Sequence, residues 1–420
     1  MQNKFEITFV QSISMSSPTQ RWLRVSLFNL LLVAALGTIL RYKIVYYLPF
    51  IDQKHLMHAH SHFAFTGWIS MALMALMVAY LSGEFKGNIF KKYRWILYAN
   101  LITAYGMLLS FPFEGYGKFS ISFSALSVFA NYAFVFQSWK DLNKMKNRNA
   151  GHYWFKAALL FNAISSIGTF ALAYMMTTKN IHQDYYLAAV YFFLHFQYNG
   201  WFFFACMGLL TARLLVNVIS PALLKNIFLL FAIACVPAYF LSALWMVIPL
   251  WAYILVILAA VAQLAGWIWL MVLMKINLSY IISDLNISAR WILGLSAIAL
   301  TLKLLLQLGS TIPSLSILAY GFRPIVIGYL HLVLLGVISL FLLGYISGYQ
   351  IIAINKMTFT GLLIFVAGII INEVLLMIQG VCDLGYINVP YINQSLLFTA
   401  CILFTGMLLI NISQMKKKAN

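Results

Sequence analysis

The sequence predicts an all-α polytopic membrane protein, a bundle of about twelve transmembrane helices in one domain, and three observations carry that prediction. Hydrophobic residues make up 63% of the 420 and charged residues only 9%, with a mean hydropathy of +0.90, whereas about a quarter of a soluble domain is charged. The apolar residues gather in runs of about 20, the length that crosses a hydrocarbon core as a helix. The basic residues fall between those runs with a strong bias to one side.

Taken in order, residues 1–22 are polar and rich in Ser and Gln, with no small-residue cleavage site behind a short apolar core. That predicts a cytoplasmic tail and not a signal peptide. The spans follow at 24–47, 56–81, 93–112, 119–138, 154–176, 185–212, 226–243, 246–274, 291–310, 324–348, 358–380 and 394–414. The second opens on His55-Leu-Met-His58-Ala-His60-Ser-His62; the sixth carries His195, the ninth Lys303, the tenth His331 and the eleventh Glu373. Residues 23–414 thus form the transmembrane domain and 415–420 a basic cytoplasmic tail, with no linker, internal repeat or low-complexity tract dividing the bundle.

Orientation follows from Lys and Arg. With both termini inside, the 27 basic residues lie in inner segments apart from Arg41, Lys43, Lys54, Lys118, Lys179 and Arg323 outside and Lys303 within the ninth span. This bias accounts for most of the +18 net charge, so the expected partner is the lipid bilayer and not nucleic acid. The four cysteines, Cys206, Cys235, Cys382 and Cys401, form neither CxxC nor CxxCH. A disulfide framework, a zinc ribbon and covalent haem attachment are therefore unsupported.

Half of the eight histidines sit between positions 55 and 62. Imidazole in a membrane is costly unless paired, wetted or ligated, which makes these residues functional candidates. The second, sixth and tenth spans run in the same direction, from outside to inside, and at about 1.5 Å of rise per residue their histidines share the outer half of the bilayer. His55, His58 and His62 follow one helical face, and His60 is turned away from them. One face is then free to ligate a metal while the other meets a second metal, a propionate or water. The blander reading makes the cluster headgroup decoration and His195 a satisfied core histidine bonded to Tyr198 or Asn199. Lys303 and Glu373 lie at matching depth, which suggests a buried ion pair, either a proton relay or a structural staple.

The run from Tyr191 to Ala205 around His195, the segment Ile327-Gly-Tyr329-Leu-His331-Leu-Val-Leu-Leu-Gly336, and His58-Ala-His60 followed by Phe-Ala-Phe-Thr-Gly resemble subunit I of the haem-copper oxidases and nitric oxide reductases, together with the twelve-helix NnrS-type haem-copper membrane proteins. The resemblance implies an oxidase subunit I-like bundle in a bacterial inner membrane, electron transfer or nitric oxide handling, and electrons from quinol or a donor protein. It also implies a bis-histidine low-spin haem b held by His331 and one of His58, His60 or His62, with copper or non-haem iron as the open second metal at His195 and the helix 2 histidines. Arg41, Lys54 and Arg323 are the cations expected near the haem propionates.

Two departures bear on activity. Phe231 to Trp245 contains no histidine where the family carries an adjacent pair, and Tyr329 stands where it carries its high-spin haem ligand. An oxygen-reducing binuclear centre is therefore unsupported, and a degenerate oxidoreductase-like site is what remains. The competing function is a histidine-containing transporter or channel without haem, for which inverted repeats and broken helices are the signature.

Overall fold

A computed structural model describes residues 17–415 except 86–87, 147, 247, 284 and 317–321. The regular structure of the described residues is all helical, with no strand among them, as expected where backbone polar groups must be satisfied within one segment. Ten helices are long and apolar enough to cross a membrane. These are α1 (Ser17–Val45), α2 (Gln53–Gly83), α3 (Ile89–Glu114), α4 (Lys118–Lys144), α5 (Gly151–Thr178), α8 (Leu250–Ile276), α9 (Ile287–Gly309), α10 (Arg323–Gly348), α11 (Lys356–Leu384) and α12 (Ile392–Met415).

Two further helical stretches lie between α5 and α8. The first, α6 (183–214), is less apolar through its middle because it carries Gln197, Tyr198, Asn199 and Trp201. The second, α7 (Pro221–Cys235), breaks by 45° into a 3-10 turn at Pro237–Ala243. Pro237 has no N–H to give and its ring crowds the preceding turn, so the helical stretch over the expected seventh span, 226–243, is bent. Residues 17–22, expected as the end of a polar tail, are already helical. Residues 1–16 and the basic run 416–420 lie outside the described residues.

Neighbours in sequence are mostly neighbours in space, and α12 returns to pack on α1 and close the bundle. In α2, 83% of the most apolar window is buried, against 22–44% in the other nine, so α2 stands inside the bundle. Residues 71–79 of α2, 203–212 of α6 and 340–348 of α10 are buried on every side. A helix apolar all round is a core helix, and these three stretches form that core. Side chains such as Trp95, Phe113, Ile233 and Trp291 face outward, where lipid is their solvent. The ion pair Lys92–Asp141 (2.5 Å) joins α3 to α4 at the end of the bundle opposite the histidine cluster, and Tyr93 Oη and Gln137 Nε2 also donate to that buried carboxylate.

A local pattern recurs in the three core helices. Each core helix switches to π-helical winding just past a histidine: Ala64–Ser70 after His62, Phe196–Phe202 after His195, and Leu332–Ser339 after His331. Each histidine is followed at the fifth position by glycine, namely Gly67, Gly200 and Gly336. Wider winding disturbs the regular carbonyl pairing, and π segments recur at functional sites. Neighbouring side chains cap the π-region carbonyls: Asn29 Nδ2 donates to Gly67 (2.6 Å), Asn100 Nδ2 to Thr66 (3.1 Å) and Ser296 Oγ to Val337 (2.8 Å). The three π segments are also tied together, because Trp201 Nε1 donates to Ser70 Oγ (3.3 Å) and Trp68 Nε1 to Ser339 Oγ (2.9 Å).

Candidate functional site

Asp52 starts α2 by accepting the backbone N–H groups of Lys54 (2.8 Å) and His55 (2.9 Å). These bonds, the one to His55 first, hold its carboxyl below the usual range. The cap fixes the helical phase of the histidines behind it. As the 3.6-residue period requires, they divide between two faces. The His55 ring presses on Gly115, where an added Cβ would come within 2.4 Å of Nε2. His62 stacks on Phe111 with centroids 4.5 Å apart, and its Nε2 lies 3.4 Å from Tyr116 Oη. His58 packs against Tyr116 (4.6 Å), and its buried Nε2 has no hydrogen-bond partner. All three therefore face the end of α3 and the turn beyond it.

His60 faces the other way. Its Nδ1–H donates to the Val33 carbonyl of α1 (3.1 Å), and the ring lies in the gap left by Gly37, where even a Cβ would sit 3.3 Å from Cε1. On α10, the His331 Nδ1–H donates to the Ile327 carbonyl one turn back (2.8 Å). A carbonyl only accepts, so both rings carry the proton on Nδ1 and turn an unprotonated Nε2 outward. An imidazole N–H given to a carbonyl orients the ring and raises the basicity of the other nitrogen toward a metal. His60 and His331 lie within electrostatic reach of each other and of Arg41. Arg323 joins the start of α10 to the start of α2 through Met57 Sδ (3.5 Å). The Lys54 side chain is exposed. Tyr329, two residues before His331 and so on another face of α10, packs against the hydrophobic core.

His195 is built differently. It is only 1% exposed, its Nε2–H donates to the Cys235 carbonyl (2.8 Å), and its Nδ1 accepts from Asn199 Nδ2 (3.1 Å). The acceptor exists because α7 breaks there: the Tyr239 N–H turns to Val236 (3.2 Å) in the 3-10 winding and leaves the Cys235 carbonyl open. Asn199, and not Tyr198, is the side chain bonded to the ring. A metal at His195 would have to displace one of these bonds. Among the described residues no group of three or more His, Cys, Asp or Glu side chains is arranged to hold a metal ion.

Two residues near His195 were not singled out together from the sequence. Cys235 Sγ lies 4.0 Å from its Nε2, and Lys303 is within electrostatic reach of both. Lys303 therefore does not pair with Glu373 as the depth argument suggested. The Glu373 carboxylate accepts from Asn372 Nδ2 (3.2 Å), and the pair joining Lys92 and Asp141 is the ion pair found among the described residues. Equal depth along two helices leaves the direction each side chain faces undetermined. The one sequence signal for Cys235 is Pro237 two residues on, and its consequence is a three-dimensional contact. Compared with known proteins, the chain matches no protein-family model and no curated protein.

Proposed function

We propose that this chain is an integral membrane haem b protein with an electron-transfer role, holding a low-spin haem between His60 of α2 and His331 of α10. The observation that carries the reading is the shared proton lock: in both rings Nδ1 is spent on a carbonyl and Nε2 is left for a ligand. The split of the helix 2 histidines favours His60 over His58 and His62, whose rings face Phe111 and Tyr116. Arg41 supplies positive charge beside the pair, which suits a haem propionate. The bound iron would supply one-electron redox chemistry. The protein's part is to fix the two imidazoles and screen the porphyrin with apolar side chains.

In this reading α6 and the bent α7 also span, giving a twelve-helix, oxidase subunit I-like bundle with both termini cytoplasmic in a bacterial inner membrane. Electrons arrive from quinol or a separate donor protein. No second metal enters the reading, because both nitrogens of His195 are engaged. The test is the visible spectrum of the purified chain and of single alanine variants. A low-spin haem b spectrum lost in His60→Ala and in His331→Ala, and kept in His58→Ala and His62→Ala, is the expected result. A chain that carries no haem, or one that keeps the low-spin signal without His331, overturns it.

A further inference from the structure

The haem reading uses one face of α2 and leaves two imidazoles on the other. His58 and His62 stand four residues apart in the regular α-helical stretch that ends at Phe63, before the π winding begins. Residues at that spacing share a face, with Cβ atoms about 5–6 Å apart. Their rings lie against the same two aromatic side chains: centroid to centroid, His58 is 4.6 Å from Tyr116 and 5.9 Å from Phe111, and His62 is 4.5 Å from Phe111 and 6.2 Å from Tyr116. Tyr116 Oη lies 3.4 Å from His62 Nε2, and the two imidazoles are within electrostatic reach of each other. His58 Nε2 is buried with no hydrogen-bond partner. His55, one turn earlier, is turned onto Gly115 and takes no part.

A histidine that only decorates the headgroup region turns its nitrogens to water, whereas a buried nitrogen left unpaired is rare in native structures and calls for a partner. Protonating both rings does not serve, because like charges four residues apart on a helix repel. The acids that would favour magnesium or calcium are engaged elsewhere: Asp52 caps α2, and Glu114 Oε1 accepts the Ser120 N–H (2.6 Å). Two neutral imidazoles suit a borderline transition metal instead, and histidines four apart on one helical face are a bidentate clamp for such an ion. We propose that His58 and His62 bind a divalent transition metal of the zinc and copper class. Among the described residues no third His, Cys, Asp or Glu joins the pair, so oxygen from water and from the Tyr116 hydroxyl completes the coordination. Tyr116 is 42% exposed, which opens the site to water at the end of the bundle.

Equilibrium dialysis of the full-length chain, purified in detergent without a polyhistidine tag, against radiolabelled zinc tests the site. Wild type is expected to bind one ion saturably, with affinity lower by at least about tenfold in His58→Ala and in His62→Ala. Either variant reads the site should the other fail to fold. Folded His60→Ala and His195→Ala proteins should keep the wild-type affinity, because their rings face away from the pair. Absence of saturable binding in wild type, or affinity unchanged in both His58→Ala and His62→Ala, overturns the proposal. So does loss of zinc in folded His60→Ala, since the ion would then sit on the other face of α2. The variant expected to lose haem is thus expected to keep zinc, so this site and the His60–His331 reading fail separately.

Discussion

The surroundings of His331 and of His195 start from the same local plan and end in opposite states. Both residues sit at the last α-helical position before a π segment, and both have glycine five positions on. At His331 the backbone of its own helix takes Nδ1–H and Nε2 is left over; at His195 a foreign carbonyl from the broken α7 takes Nε2–H and Asn199 fills Nδ1. The difference lies in which carbonyl comes within reach of each ring nitrogen. The break at Pro237 opens the Cys235 carbonyl to His195, whereas His60 and His331 share carbonyls, Val33 and Ile327, of unbroken helices.

The widest separation between the two regions should come from paired alanine variants. His331→Ala is expected to lose haem outright and fold normally. His195→Ala should keep the haem spectrum unchanged and lower stability by about 1–3 kcal/mol, the cost of leaving a buried carbonyl and amide unpaired. Haem per polypeptide and a thermal melt on each variant read both halves, and loss of haem in His195→Ala would erase the distinction.

A smaller effect tests how His60 reaches its position. Gly37→Leu fills the gap that holds the His60 ring, so haem retention should fall below wild type while the helical content stays the same. Full haem occupancy in Gly37→Leu would mean that the ring is not held against α1. The smallest effect concerns the cap that sets the phase of the helix 2 histidines. Asp52 has its carboxyl held low by the His55 and Lys54 amides, so its contribution is present above the unfolded carboxyl value and fades as pH falls through the range below about 4. Protection of the amides at the start of α2, taken against intrinsic exchange at each pH, should therefore fall on acidification in wild type and be low at every pH in Asp52→Ala. Equal exchange in the two proteins at neutral pH would remove Asp52 from the account.

Some of the site was open to inspection in the chain. The partition of His55, His58 and His62 from His60 follows from the 3.6-residue period alone, and the rings do divide between α3 and α1. The glycines spaced five residues from His62, His195 and His331 were equally visible. The segments between them, Phe-Ala-Phe-Thr, Phe-Gln-Tyr-Asn and Leu-Val-Leu-Leu, share little chemistry, so the spacing alone carries the pattern. The pairing of Lys303 with Glu373 failed for a different reason, since depth along a helix is a sequence quantity and azimuth between helices is a packing one.

By itself the sequence determined that the chain is a bundle of membrane helices, roughly where each begins and ends, and which histidines share a face, because burial in lipid forces long apolar runs and the helix period is fixed by backbone hydrogen bonding. Tertiary structure alone decided which ring nitrogens are free. The deciding partners are the Val33 carbonyl for His60 and the Cys235 carbonyl for His195, and no local pattern brings residues 27 or 40 positions apart to hydrogen-bonding distance. That choice belongs to the packing of α1 against α2 and to the break in α7, where the whole bundle sets the contact.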